Sequence, residues 1–444
     1  MWIWIIAALI LSIIPLCNKK IDMSNYMWLL IPIDAYGISL AGAVVKPYMI
    51  FAFILLFVTY AKNKGNGFDL SASKGQLLSG IICILILMQS LFNGENMPAV
   101  KGSIMLILVY ICAQVYTSCT NCDNAEQLSD VFIASCFGCG VAYLVAYFLL
   151  EKGIDINGIV ALDRTQDGLF MQMSNMSGGS YVEAYRLRGF AYDPNTMFVQ
   201  FVFGISACVC KLFKKFNLYH IFTFIISIVC ILLSSSRMGL LCGVIAIAIT
   251  ALVSISQYES VRKKLTSTIA LLASCALFLI FTVTKVGQSI LSQLLSTYSN
   301  RSSLTDEYGR FSIWKECLKV YWEKNPLWGV GLGQMSKFTA TERMTHNTWL
   351  QFICECGLIV GGIVIIYFFS VLIIGWIRTG IKHRNDPNNT SYLILVIGYT
   401  VTIVSLLSAD NISCSYLWFG ALLVLKMAFH LKDTSNTEQS SLIT

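Results

Sequence analysis

The sequence predicts an all-α membrane protein, a polytopic bundle of 12–13 transmembrane helices with two long extracytoplasmic loops. Three observations carry this expectation. Of 444 residues, 56% are hydrophobic and only 12% charged, where a soluble domain carries about 25% charged residues. Mean hydropathy is +0.69, and apolar runs close to the ~20 residues that cross a hydrocarbon core as a helix recur from end to end. The runs are continuously apolar, whereas a closed barrel would show short segments of alternating polarity.

Apolar segments fall near 1–17, 26–43, 47–61, 77–92, 99–118, 128–150, 194–210, 217–234, 238–256, 265–284, 348–377, 391–409 and 413–430. Pro15, Pro32 and Asp34 interrupt the first two, which leaves the count at twelve or thirteen. The net charge of +7 is explained by placement rather than by a nucleic-acid partner. Sixteen Lys and Arg, among them Lys19, Lys62, Lys211, Arg262, Arg378 and Lys432, fall in alternate connections, while the short opposite ones hold Lys46, Lys101 and Arg237. The positive-inside rule puts the first set and the C-terminus in the cytoplasm. The N-terminal run has neither a basic n-region nor a small-residue cleavage site, so a removed signal peptide is not expected.

The resulting organisation is N-terminal transmembrane helices over 1–150, a first outer loop over 151–193, central helices over 194–284, a large outer loop over 285–347, C-terminal helices over 348–432 and a disordered cytoplasmic tail over 433–444. Most of the sixteen cysteines lie in apolar segments, where thiols pack as small hydrophobes. Only Cys317 lies in a long outer loop, so an outer disulfide network is not expected. Cys119/Cys122 and Cys136/Cys139 have CxxC spacing without an accompanying His, and packing explains them better than zinc. No metal and no cofactor are expected.

In the large loop, Phe311, Trp314, Leu318, Tyr321 and Trp322 recur at helical spacing, which predicts an amphipathic helix over 311–324 lying on the outer membrane surface. Pro326 ends it, and Gly329, Gly331 and Gly333 form a tight loop. No strand precedes these glycines, so they are not a dinucleotide fingerprint.

Three places could carry chemistry. In YRLRGFAYDPN, residues 185–195, Arg186 and Arg188 present donor forks that suit phosphate oxygens. The plainer reading pairs them with Asp193 or Glu183 in a solvated loop. Arg237, after three serines and between two apolar segments, either snorkels to the surface or serves a site. His346, beside Asn347, is the one histidine of four on the outer side, and a neutral imidazole is a suitable base near pH 7. As a plain structural residue it would cap a helix start.

Together these segments resemble the O-antigen polymerase and O-antigen ligase superfamily. RLRGFAYDPN resembles its Arg-Gly-aromatic-Asp-Pro-Asn turn and SSSRMGLL its Ser-Arg-x-Gly helix start. GRFSIWKECLKVYWEKNPLWGVGLGQ with HNTWLQFICECGLIVGG resembles its large-loop signature. The chain departs from the pattern at Val360, with the next glycine at Gly361. The matches cover roughly 188–362.

The resemblance implies a GT-C-like membrane glycosyltransferase of the bacterial inner membrane, with its active site on the periplasmic side. It implies polyprenyl-diphosphate-linked oligosaccharides as donor and acceptor, membrane lipids around them, a chain-length regulator protein as a further partner, and no nucleic acid. Arg188 and Arg237 would hold the diphosphate, and His346 would activate the acceptor hydroxyl for an inverting, metal-independent attack. Arg186, Tyr192, Asp193, Arg301, Arg310 and Asn347 are the secondary candidates for gripping phosphate or sugar. An O-antigen polymerase is the leading expectation. A ligase delivering glycan to the lipid A core is the nearest rival, and a lipid-linked oligosaccharide flippase is the alternative from another class.

Overall fold

The computed structural model describes residues 2–40, 43–62, 74–93, 97–122, 125–154, 168–177, 180–256, 260, 262, 310–340, 344–382 and 389–441. The expected span over 265–284, together with Arg301, lies outside them.

Helices dominate the described chain. In order they are α1 (Trp2–Ile13), α2 (Met27–Leu30), α3 (Pro47–Lys62), α4 (Lys74–Asn93), α5 (Met97–Cys119), α6 (Ala125–Glu151), α7 (Pro194–Lys214), α8 (Leu218–Leu233), α9 (Arg237–Ser256), α10 (Arg310–Lys324), α11 (Thr348–Trp376), α12 (Asn389–Ser405) and α13 (Ser415–Ser441). Six stretches are long and apolar enough to cross a membrane: Gly75–Phe92, Met97–Cys119, Ala125–Glu151, Pro194–Lys214, Arg237–Ser256 and Thr348–Thr379. Shorter apolar helices include α1, α3, α8 and parts of α12 and α13. This is a multi-pass membrane bundle. Helix α7 sits at its centre, packed against α6, α8, α9 and α12. Phe57, Phe92, Val244, Leu252 and Ile366 face outward on other helices, as expected where hydrocarbon is the solvent.

Two ends of the bundle are distinguishable. At one, Asp130 near the start of α6 pairs with Lys19 at 2.8 Å and Lys211 at 2.6 Å. At the other, the hydroxyl of Tyr143, about 20 Å further along the same helix, accepts from Phe190 N. The segment expected as a second spanning helix over 26–43 runs between these ends without being one. A 3-10 turn over Met23–Tyr26 leads into the four-residue α2, after which Pro32 stops the helix and the chain continues extended. Irregular backbone is tolerated at this depth because it is enclosed by protein, with Trp28, Ile31 and Ile33 all buried.

Two antiparallel ribbons add to the helices: β1 (Ile38–Leu40) with β2 (Ala43–Val45), and β3 (Phe170–Ser177) with β4 (Ser180–Leu187). The second lies within the first expected outer loop, where two strand-length runs flank Gly178 and Gly179, a hairpin signal. Helix α13 continues to Ser441, where the sequence suggests a disordered tail, since propagating an existing helix needs no new nucleus.

Candidate active site

The turn between β4 and α7 is built around Gly189. Its φ of +59° suits glycine, and a Cβ there would lie 2.6 Å from the Tyr143 ring. Backbone N–H groups of Arg188 and Gly189 donate to Leu169 O at 2.9 and 3.0 Å, while Ala35 N donates to Phe190 O at 3.0 Å. Asp193 then caps α7, its carboxylate accepting from Asn195 N at 2.6 Å with Pro194 in the first turn. Tyr192 lies beneath Lys46, whose ammonium is 5.1 Å from the ring centroid.

The two arginines before this turn face inward. Arg186 donates Nε to Ser234 O at 3.0 Å and Nη2 to Asn195 Oδ1 at 3.4 Å, joining β4 to the end of α8 and the start of α7. Arg188 is 3% exposed and donates Nη2 to Gly168 O at 2.9 Å and Tyr36 Oη at 3.3 Å. Both are more enclosed than the expectation of a phosphate grip suggests.

Arg237 opens α9. The serines before it make the turn: Ser235 has φ +50°, Ser234 Oγ accepts from Ser236 N at 3.2 Å, and Ser236 Oγ accepts from Gly239 N at 3.1 Å as an N-cap. Arg237 is exposed. A cation in the first turn opposes the helix dipole, a disadvantage of about 0.3–1 kcal/mol. A bound anion would be favoured by the guanidinium and the N-terminal end of the helix together.

Arg310, first residue of α10, completes the charged cluster. It donates Nη2 to Ser408 O at 3.2 Å. Burial lowers its pKa, the carboxylates of Asp193 and Asp410 act in the opposite direction, and the neighbouring Arg237 lowers it further. Four charged groups from α7, α9, α10 and the α12–α13 connection therefore share one region. Helix α10 occupies almost the predicted range, yet the face it docks on the protein is Ile313, Cys317 and Tyr321, while Phe311, Leu318 and Trp322 are exposed.

His346 adjoins this region. Its Nδ1 lies 3.1 Å from Asp410 Oδ2, and its side chain is 45% exposed. The residue has φ +48°, a left-handed conformation costing a non-glycine residue roughly 1 kcal/mol or more. Its neighbours hold it there. Asp410 Oδ1 accepts from Thr345 Oγ1 at 2.8 Å and Asn347 N at 3.2 Å, and Trp314 Nε1 donates to Thr345 O at 2.7 Å. Asn347, expected at the substrate, is the N-cap of α11, accepting from Trp349 N and Leu350 N at 3.1 and 3.2 Å. Thr348 binds the same connection, donating Oγ1 to Ala409 O at 2.6 Å.

The glycine loop after α10 closes against a break in α11. Gly357 has φ +78° inside that helix, and a Cβ would lie 2.3 Å from Leu327 O. The freed backbone groups find partners in the loop: Leu358 N donates to Pro326 O at 3.0 Å, and Glu355 O accepts from Gly331 N at 2.9 Å. The buried Glu355 carboxylate accepts from Gly333 N at 2.8 Å and Gln351 Nε2 at 3.0 Å. Gly361 is as constrained, since a Cβ there would meet Phe352 O at 2.3 Å. The departure at Val360 therefore leaves a tightly packed glycine one position on.

Asp410 and Glu355 escape the sequence reading. A carboxylate between two apolar runs was the available signal for each, and it does not name the partner. Among the described residues, no three His, Cys, Asp or Glu side chains gather as a metal-holding group. A search of curated proteins gives no match. Residues 222–367 match the family described as O-antigen ligase, a stretch that runs from α8 through Arg237, Arg310 and His346 into α11. About a third of the chain is therefore similar to that family, and this third contains Arg237, Arg310 and His346.

Proposed function

We propose that this protein is a surface-polysaccharide polymerase that moves a growing glycan from polyprenyl diphosphate to a sugar hydroxyl of the next lipid-linked repeat unit. The observation that carries the reading is the His346–Asp410 pair beside Arg310 and Arg237. With Nδ1–H directed at Asp410, the imidazole keeps a lone pair on Nε2 to accept the acceptor hydroxyl proton, the arrangement in which a carboxylate orients a general base. The hydroxyl oxygen attacks the anomeric carbon as the bond from that carbon to the diphosphate breaks. Negative charge then grows on the diphosphate, where Arg237, Arg310 and the N-terminus of α9 stabilise it. Attack opposite the leaving group inverts the anomeric centre.

Arg188 and Arg186 act in this reading behind the site. They position the turns bearing Tyr192, Asp193 and Arg237. The distribution of Lys and Arg supports placing the His346 end outside the cytoplasm.

Ligation of finished glycan to a lipid A core is the second reading, favoured by the description of the matched family. Loss of the gene separates the two: a single repeat on the core follows from a missing polymerase, and no repeat from a missing ligase. Purified protein given lipid-diphosphate repeat units should extend them without added nucleotide. Absence of any transfer, with the repeat units moved across vesicles instead, would establish a transporter.

A further inference from the structure

Two cysteines near the His346 end play no part in the proposed mechanism. Cys317 is central in α10 and Cys354 lies in the N-terminal part of α11, and both are fully buried. They belong to one small core with Ile313, Tyr321, Val330 and Met335, separate from the main core of the bundle. Both are free thiols in this structure, and the Cys354 thiol donates to the backbone oxygen of Cys317 at 4.0 Å. By sequence Cys317 stands alone in the outer loops, so the pairing emerges only from the docking of α10 on α11.

We propose that Cys317 and Cys354 are a disulfide-forming pair that staples α10 to α11. This rests on the extracytoplasmic placement of the His346 end, because an oxidising compartment is where such bonds persist. Two thiols form one S–S bond and lose two protons and two electrons, which reduce the disulfide of a protein thiol oxidant to a dithiol by exchange. Burial pushes the Cys317 thiol up to about 12, leaving little thiolate once the helices have docked. The exchange therefore belongs to folding, before α10 closes over the pair. Cys317 is two helical turns beyond Arg310, and Cys354 two turns beyond Asn347, so the bond fixes the separation of the helices that present Arg310 and His346.

The test uses the full-length protein in native membranes. Free thiols are blocked under acid denaturation, the sample is reduced, and newly released thiols are labelled with a maleimide polymer. Two labels per chain are expected, mapping to 317 and 354, and both should vanish in Cys317→Ser and in Cys354→Ser. In parallel, the purified protein is reduced in a denaturing detergent, returned to a mild detergent in the presence of copper phenanthroline so that the pair can oxidise as the helices dock, and digested for mass spectrometry. A 317–354 cross-link under copper with no reduction-dependent label in membranes would overturn the proposal together with the extracytoplasmic placement. Failure of both would overturn the pairing alone and leave the placement standing.

Discussion

His346 Nδ1 and Asp410 Oδ2 are 3.1 Å apart, joining the start of α11 to the connection between α12 and α13. The same carboxylate receives Thr345 and Asn347, the residues on either side of the histidine. One aspartate thus fixes both the imidazole and the left-handed backbone that aims it.

Asp410→Asn keeps the shape but loses the acceptor that orders the imidazole. The turnover number of glycan transfer should fall by about 10²–10⁴-fold with little change in KM. His346→Ala should fall at least as far, and the double variant no further than His346→Ala, because the two act as one unit. Independent, multiplying losses would refute the pairing as the working base.

Arg237 and Arg310 should act on the leaving group. Replacing either by Ala is expected to reduce kcat/KM by about 10²–10³-fold. Arg310→Lys should recover only part, since an ammonium lacks the planar fork that meets two phosphate oxygens. Rates measured on a fluorescent lipid-diphosphate donor decide this, and a fully active Arg237→Ala variant would remove that residue from the site.

Gly357→Ala should destabilise the protein by roughly 3 kcal/mol or more, because a positive φ and a backbone collision coincide there. Gly362, with open space around its Cβ position, provides the control. Gly362→Ala should be neutral or gain up to about 1 kcal/mol from helix propensity. Thermal unfolding in detergent, followed by size-exclusion fluorescence, reads both.

Lys46 and Asp34 form a buried pair at 2.7 Å, with side chains 3% and 8% exposed. Asp34 also accepts from Ser415 Oγ at 2.6 Å, at the start of α13. Lys46→Met strands a buried carboxylate and should cost about 3–5 kcal/mol. Adding Asp34→Asn should restore a substantial part of the melting temperature. If the second substitution adds to the damage instead, the pair is not coupled.

The amino-acid sequence alone determined the membrane class and most span positions, because a bilayer imposes long apolar runs whatever the packing around them. It also singled out Arg188, Arg237 and His346, ionisable residues at the edges of apolar runs, with Arg310 as a secondary candidate. The second segment was misleading for the same reason: its composition is apolar enough to span, and only enclosure by neighbouring helices permits the broken path through Pro32. Asn347 read as a ligand contact because capping depends on backbone geometry. Tertiary structure alone decided that Asp410 lies against His346, that Arg188 turns inward to Tyr36, and that Cys317 has Cys354 as a neighbour. Each of these joins residues far apart in the chain, and periodicity reports only what a residue does within its own helix.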